Sequence, residues 1–169
     1  MKKILLLVDD IYEDLEFWYP RIRLEEAGFR AIVAGPASRH PYKGKHGYPC
    51  TSDIAFKDIK ASEYEGVVIP GGYAPDRIRR HKEALDAVQQ LNEAHKLVAC
   101  ICHAGWVAIS AKILKGRKAT SFSGIRDDME NAGVHWTDEA VVIDNNLITS
   151  RTPSDLPVFM KAVVHYLQK

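Results

Sequence analysis

One cysteine, Cys102, lies where an apolar run gives way to a short segment of small residues. The run Val98–Ile101 has the continuous hydrophobicity of a buried strand, and Cys102–Gly105 then turns into a helix. A nucleophile on such a turn projects above the edge of a sheet. The helix that follows favours a thiolate, which predicts a lowered pKa. The alternative is a structural cysteine, and this is the interpretation that we favour for Cys100, inside the strand.

Two other features near a strand end offer backbone amides. The side chain of His103 is predicted to point away from the preceding thiol, because neighbouring side chains diverge, but its N–H is predicted to bind an oxyanion. Gly71 and Gly72 follow the apolar run Val67–Ile69, and glycine lets backbone amides approach a ligand closely. The alternative is a plain turn, with Pro75 at the first helical position.

Five acidic residues occupy the segment Asp9–Glu16, directly after the first apolar run. Asp10 and Glu13 fit a capping box, which accounts for most of the acids without invoking function. Glu16 lies off the apolar stripe of the predicted helix, which is formed by Leu15, Trp18 and Ile22. Two interpretations of Glu16 remain open: a simple exposed glutamate, or a carboxyl in a cleft that keeps its proton and donates it to a thiolate.

The elements that would position these residues alternate between strands and helices. Continuous apolar runs predict strands that are buried on both faces, at Ile4–Val8, Ala31–Ala34, Val67–Ile69, Leu97–Ile101 and Val141–Ile143. Helical patterns lie between them, so the order predicts an α/β fold with a mostly parallel, doubly wound sheet. The stretch 36–53 is predicted to be a loop or small hairpin. Residues 1–169 are predicted to form a single domain.

Composition excludes several classes of function. The chain has 169 residues, with 23 Lys and Arg against 22 Asp and Glu, and a formal net charge of +1. This balance argues against a general nucleic-acid or anionic-membrane binder. The apolar N-terminal run is too short to span a bilayer and lacks a cleavage site, so we expect a cytoplasmic protein with reduced thiols.

Neither a metal nor a cofactor is predicted. The seven histidines are scattered without a repeated ligand spacing. Gly71 and Gly72 lack the third glycine and the helix register of a dinucleotide fingerprint, and no phosphate loop is present. The short basic run Arg77–Lys82 is interpreted as a solvated helix face.

Taken together, the motifs resemble the DJ-1/PfpI superfamily, most closely its PfpI-type intracellular protease/amidase branch. The resemblance covers nearly the whole chain and is carried by Glu13–Glu16 with Tyr19-Pro20, Gly44–Tyr48, Ile69–Gly72 with Ala74-Pro75, Ala99–His103, Leu114–Lys118, Gly124–Met129, Asn131–Val134 and Ser150–Leu156. It implies a flavodoxin-like three-layer sandwich that forms homodimers and, in this branch, often hexamers.

The resemblance also implies roles for individual residues. The family's nucleophile falls on Cys102, its buried acid on Glu16, and its oxyanion amides on Gly72 and His103. In PfpI-like proteins the histidine meets an acid from the neighbouring subunit, and here that position is Asp76. This chain departs from the branch because Asp76 is shorter than the usual glutamate. A second departure, at the mouth of the cleft, is Tyr73, which replaces a common arginine.

Several functions remain open at this point. One hypothesis is a cysteine-dependent hydrolase or lyase, which would act either on peptides and amides or, as a glyoxalase III or protein deglycase, on small aldehydes and glycated proteins. The aldehyde chemistry does not need Asp76. The alternative is a non-catalytic stress protein, a redox sensor or holdase chaperone with an oxidisable Cys102.

Overall fold

The computed structural model describes residues 1–169, and it consists of eleven short strands and six helices around one large sheet. The strands are β1 (Lys3–Leu7), β2 (Arg30–Gly35), β3 (Pro41–Lys43), β4 (Pro49–Thr51), β5 (Ile54–Ala55), β6 (Gly66–Ile69), β7 (Leu97–Ile101), β8 (Lys118–Ala119), β9 (His135–Trp136), β10 (Val141–Asp144) and β11 (Leu147–Ser150). The helices are α1 (Asp14–Glu26), α2 (Ala74–Ile78), α3 (Lys82–Glu93), α4 (Gly105–Ser110), α5 (Arg126–Asn131) and α6 (Leu156–Leu167).

Seven strands form the central sheet in the order β10-β11-β7-β6-β1-β2-β5. All neighbouring strands run parallel except β10, which pairs antiparallel with β11 at one edge. The order reverses between β1 and β6, where the chain changes direction across the sheet. Ligands bind beside such reversals at the carboxyl ends of strands. The ends of β1, β6 and β7 therefore define the place where chemistry is expected.

Helices cover both faces of the sheet, as expected for parallel strands that are buried on both sides. α1 and α6 pack together on one face, and α3 and α4 pack against β7 on the other. The core includes every residue of β6 and β7 and the large side chains Phe17 and Phe159. The prediction of a flavodoxin-like, mostly parallel α/β sandwich is confirmed. No helix in the structure is both long enough and apolar enough to cross a membrane.

The prediction for the first helix was wrong in two respects. Of the stripe Leu15, Trp18 and Ile22, only Trp18 packs against the core, whereas Leu15 is 57% and Ile22 is 59% exposed. The sheet instead receives the face with Phe17 and Leu24. That face also carries Glu16, which is why a carboxyl enters the interior.

The cap of the first helix also differs from the prediction. The N-cap is Glu13, whose Oε2 accepts the N–H of Glu16 at 2.9 Å, so the capping interaction lies three residues later than expected. Asp10 instead accepts the N–H of Lys43 at 3.0 Å. The segment between β1 and α1 contains a turn with a φ of +63° at Ile11, and Asp10 within it binds the neighbouring hairpin rather than the helix.

The predicted strands are present, and the predicted hairpin within residues 36–53 is formed by β3 and β4. Four strands were missed: β5, β8, β9 and β11. Three of them contain only two residues, too few for a pattern. The fourth, β11, pairs with β7 and contains Thr149 and Ser150, which interrupt its apolar run.

Candidate active site

The chain makes a sharp turn at Cys102, directly after β7. Cys102 has a φ of +61°, a left-handed conformation that non-glycine residues rarely adopt. A short 3-10 turn, Cys102–Ala104, then leads into α4. Strained backbone of this kind persists where the surrounding structure holds it in place, and it is frequent at active sites. The predicted strand-to-helix elbow is therefore present, with the thiol at the carboxyl edge of the sheet.

The turn brings His103 onto the thiol. The Nδ1 atom of His103 lies 3.2 Å from the Cys102 Sγ, so the prediction that the two side chains point apart was wrong. The left-handed φ of Cys102 changes the usual alternation of neighbouring residues. The imidazole stacks on Phe122 at 4.7 Å and meets the edge of Trp106 at 5.1 Å. Burial, assisted by the charge of Lys45, lowers the pKa of His103 below 6.5, which favours a neutral ring.

A carboxyl group lies in the interior beside the thiol. Glu16 has no exposed surface, and its Oε2 accepts the N–H of Gly71 at 2.7 Å. Its Oε1 has no hydrogen-bond partner within the chain. Burial raises the pKa of Glu16 to about 8, despite the opposing Gly71 hydrogen bond, so the carboxyl is protonated near neutral pH. Of the two interpretations of Glu16, the structure supports the buried acid.

The two glycines of the turn after β6 have different roles. The Gly71 amide binds Glu16, so the prediction that it helps to bind an oxyanion was wrong. The Gly72 amide faces the Cys102 sulfur together with the amide of His103, and both lower the pKa of the thiol. Gly72 has a φ of +76°, and an added Cβ would lie 2.4 Å from the Glu13 nitrogen. Two amides thus converge where an oxyanion would form.

The expectation of a low thiol pKa was also wrong. Burial, assisted by the negative charge of an ionised Glu16, raises the pKa of Cys102 to about 12. The amides that face the sulfur oppose this shift without reversing it. Cys102 is only 9% exposed, so the loss of hydration outweighs the effect of the helix that follows. The resting site is therefore a neutral thiol beside a neutral imidazole and a protonated carboxyl.

These groups open onto a small cavity of about 220 Å³. Its walls are formed by Glu13, Glu16, Lys45, Gly72, Tyr73, Cys102, His103, Phe122, Thr152 and Pro153. Four of these residues are not predicted from the sequence: Lys45, Phe122, Thr152 and Pro153. Lys45 and the Thr152-Pro153 pair lie inside motifs that carry the family resemblance, which was an available signal. Phe122 lies outside these motifs, and only the fold brings it next to His103, so the sequence did not indicate its place in the site.

Tyr73 and Asp76, two other predicted residues, occupy different places. Tyr73 lines the cavity and is 66% exposed, as expected for its mouth. Asp76 lies on α2, pairs with Arg80 and does not line the cavity. The chain by itself therefore does not join Asp76 to His103. The arrangement across a subunit interface stays a prediction.

The ligand atoms of Glu13, Asp14 and His46 lie within 4.8 Å of one another, the spacing that a metal ion would need. Their carboxylates already have other partners. Both oxygens of Asp14 accept backbone N–H groups, from His46 at 2.9 Å and Tyr48 at 3.0 Å. One oxygen of Glu13 caps α1. These bonds account for the cluster as the anchor of the β3–β4 turn.

The fold and the site together define an α/β protein with a cysteine on a strained strand-to-helix elbow. A family model described as the DJ-1/PfpI family matches residues 2–166, and the chain belongs to that family. Among its relatives is the protein named deglycase PfpI of Pyrococcus furiosus, 43% identical over 98% of this chain and 99% of its own length.

Solved structures agree with this assignment. A two-domain protein of Anabaena variabilis with DJ-1/ThiJ/PfpI-like and ferritin-like domains matches with a TM-score of 0.98 and 43% identity. The match covers 99% of this chain but only 48% of that longer chain. DJ-1beta of Drosophila melanogaster matches with a TM-score of 0.91 and 26% identity, over 98% of this chain and 90% of its own.

Proposed function

We propose that this protein is a Cys102-dependent enzyme that acts on α-oxoaldehydes such as methylglyoxal and on their adducts with proteins, as a deglycase with glyoxalase-type chemistry. The proposal rests mainly on one observation: a thiol lies 3.2 Å from a histidine nitrogen, beside a buried acid. A base and an acid on either side of a nucleophile are what addition to a carbonyl requires. The name of the relative from Pyrococcus furiosus supports this choice of substrate.

The first step is addition of the thiol to the aldehyde. The sulfur of Cys102 forms a bond to the aldehyde carbon while the C=O double bond becomes a C–O single bond. The thiol proton passes to Nδ1 of His103, and the new alkoxide receives a proton from Glu16. The amides of Gly72 and His103 stabilise the developing negative charge. The product is a hemithioacetal, and no oxidant or reductant is consumed.

The second stage converts this hemithioacetal to an acid. A proton leaves the former aldehyde carbon and another reaches the neighbouring ketone carbon, so the first carbon is oxidised to a thioester while the second is reduced to an alcohol. Water then hydrolyses the thioester, releasing lactate and restoring the thiol. The residues that exchange protons next to the sulfur are Glu16 and His103. Glu16 is buried and His103 is half-buried, which limits the access of bulk water to the intermediates.

An adduct of the aldehyde with a protein would follow the same reaction steps. In a hemiaminal the aldehyde carbon is bonded to an amine of the damaged protein. The sulfur of Cys102 replaces that amine: the C–S bond forms, the C–N bond breaks, and the amine leaves with a proton. The small cavity admits the aldehyde fragment, and the exposed Tyr73 at its mouth is placed to meet the larger protein.

The other hypotheses receive less support. Peptide hydrolysis by a cysteine, histidine and acid would recruit Asp76, which lies outside the cavity in this chain. A homodimer or hexamer, in which a neighbouring subunit would supply Asp76, stays a proposal. The cytoplasmic location also stays a proposal. A redox sensor requires an accessible, low-pKa thiolate. The buried thiol of Cys102, with its raised pKa, does not favour that role.

The decisive experiment follows methylglyoxal consumption and lactate formation in matched variants. Cys102→Ala should abolish turnover, with a loss of about a thousandfold or more. Cys100→Ala removes a thiol two residues away and should retain most of the turnover per folded molecule. Asp76→Ala should also retain it. A short-peptide cleavage assay on the same samples tests the protease hypothesis.

Two results would decide against the proposal. Peptide cleavage that is lost in both Cys102→Ala and Asp76→Ala, without aldehyde turnover, would establish the protease. Absence of any Cys102-dependent turnover in either assay would leave the redox or holdase role in first place. Circular dichroism of each variant, recorded beforehand, ensures that only folded protein is compared.

A further inference from the structure

The cavity contains one permanent positive charge, on Lys45. Of the ten residues that line the cavity, Lys45 is the only lysine or arginine. None of the ion pairs in the chain involves it. Its ammonium also donates no hydrogen bond within the chain, whereas its backbone N–H donates to the Tyr12 carbonyl at 2.8 Å. The backbone of Lys45 is therefore held in place while its charge remains free.

The turn that carries Lys45 is firmly constructed. Asp14, which is buried at the start of α1, accepts the N–H groups of His46 and Tyr48. The turn approaches Asp14 so closely that a Cβ on Gly44 would lie 2.3 Å from the carboxylate. The positive φ of Gly47, +94°, completes the turn. The backbone of Lys45 is therefore fixed on both sides, and its exposed side chain lines the cavity.

The charge of Lys45 acts on the reactive groups themselves. It contributes to the lowered pKa of His103, and it opposes the rise in the pKa of Glu16 that burial causes. Both effects require the ammonium to be near these side chains. At neutral pH the thiol, the imidazole and the Glu16 carboxyl carry no charge, so none of these three groups compensates the cation. The other acid that lines the cavity, Glu13, caps α1 with its Oε2, has its Oε1 3.6 Å from the His46 Nε2, and forms no ion pair with Lys45. A bound anion would supply the missing partner.

We propose that Lys45 determines specificity by binding a carboxylate next to the reacting carbonyl, so that the preferred substrates are aldehydes with an adjacent carboxylate and their hemiaminal adducts on protein amines. The simplest such aldehyde is glyoxylate. This inference rests on the proposed function, since it assigns a substrate class to the same cavity. A volume of about 220 Å³ suits a ligand of this size.

The chemistry that follows is balanced without an added oxidant or reductant. The sulfur of Cys102 displaces the protein amine from the hemiaminal carbon: a C–S bond forms, the C–N bond breaks, and the amine leaves with the thiol proton through His103. The resulting hemithioacetal then reverses, its C–S bond breaking as the C=O bond forms again. Free glyoxylate leaves, the hydroxyl proton returns to the sulfur, and the protein amine is repaired.

The test compares glyoxylate with glyoxal, which has the same number of carbon atoms but no charge. Each compound is used to protect Cys102 against alkylation by iodoacetamide, with the modified fraction measured by intact-protein mass spectrometry. In Lys45→Met the glyoxylate concentration that gives half-protection should rise about tenfold, while that of glyoxal changes less than about twofold. Lys45→Arg should retain the glyoxylate preference. Lys43→Met removes a lysine of the same hairpin that does not line the cavity, and should behave like wild type.

The ratio of the half-protection concentrations of glyoxylate and glyoxal distinguishes recognition of the negative charge from a general effect on the reactivity of Cys102. Loss of Lys45 also alters the pKa values of His103 and Glu16, which would shift both probes together. An unchanged ratio in Lys45→Met, or an equal loss for glyoxylate and glyoxal, would overturn the inference. Methylglyoxal turnover, measured separately, tests the proposed function. Protection that depends on Lys45 in the absence of turnover would therefore refute the function while supporting the carboxylate site.

Discussion

Cys100 and Cys102 lie two residues apart at the end of one strand, yet they have different surroundings. Both thiols are buried, and the pKa of each is raised to about 12. For Cys100 burial is the sole cause, and the residue sits in register between Thr149 and Ile69 in the middle of the sheet. For Cys102 the charge of Glu16 also contributes, and two backbone amides oppose it.

The comparison teaches that neither burial nor thiol pKa marks the reactive cysteine in this fold. What distinguishes Cys102 is the left-handed φ that removes it from the ladder of the sheet and brings His103, Glu16 and the Gly72 amide to its sulfur. Reactivity then depends on proton transfer within a prearranged cluster rather than on a standing thiolate. Removing one element of the cluster at a time should make Cys102 progressively more like Cys100.

The largest effect is expected from Gly71→Ala. An added Cβ would lie 2.5 Å from the Glu16 Oε2 and 2.7 Å from the Cys102 Cβ, so acid and nucleophile must both move. Methylglyoxal turnover should fall about a thousandfold, since both acid catalysis and amide stabilisation are disturbed. Gly28→Ala is the control: its Cβ meets nothing within 4 Å, and its positive φ costs only about 1 kcal/mol of stability. Equal activity in the two variants would contradict the cluster model.

A smaller loss is expected from Glu16→Gln, about a hundredfold in kcat. The informative readout is the pH profile. Activity of the wild type should fall below the lowered pKa of His103, as the base becomes protonated, and again above about pH 8, as Glu16 loses its proton. Glutamine cannot ionise, so the alkaline fall near pH 8 should disappear while the acid limb remains. An alkaline limb that persists in the variant would assign it to another group.

The same substitution should change how stability depends on pH. The folded-state pKa of Glu16, about 8, lies above the ordinary glutamate value of 4.5, so between these values the folded chain keeps a proton that the unfolded chain releases. Stability from this group is therefore lost as pH rises, by up to about 1.4 kcal/mol per pH unit, and levels off above about pH 8. Urea unfolding at pH 5 and pH 8 should show a smaller decline in Glu16→Gln. If the free energy of unfolding declined equally between pH 5 and pH 8 in wild type and variant, Glu16 would be ionised in the folded protein.

Much of this site could be predicted from local pattern. The apolar runs located the main strands, and the ends of β1, β6 and β7 brought Glu16, Gly72 and Cys102 to one edge, as parallel topology requires. The contact between His103 and the thiol could not be predicted, because it depends on the left-handed φ of Cys102, and a cysteine in the sequence does not indicate that conformation. The buried face of α1 was also assigned wrongly. The helix has apolar residues on two sides, and the side with Leu15 and Ile22 was predicted to be buried instead of the side with Phe17 and Leu24.

The thiol pKa shows a second limit of pattern. A cysteine before a helix is typical of a lowered pKa, but the outcome depends on how much water the assembled fold excludes. Burial of Cys102 is created by segments far away in the chain, among them the turn that contains Phe122 and the one that contains Pro153. Burial by distant segments decides whether the thiol pKa is raised or lowered, and the residues next to Cys102 in the sequence do not predict it.

The smallest effect is expected from Phe122→Leu, which removes the ring stacked on His103 at 4.7 Å. The imidazole should lose its fixed position and part of its burial, lowering kcat about fivefold. Because burial is the main cause of the lowered pKa of His103, the acid limb of the pH profile should move up toward 6.5. The control is Phe56→Leu, since Phe56 also meets a histidine, His81 at 5.2 Å, away from the cavity. A lowered kcat without movement of the acid limb would show that Phe122 only supports the fold, leaving the proton acceptor of Cys102 to be sought elsewhere.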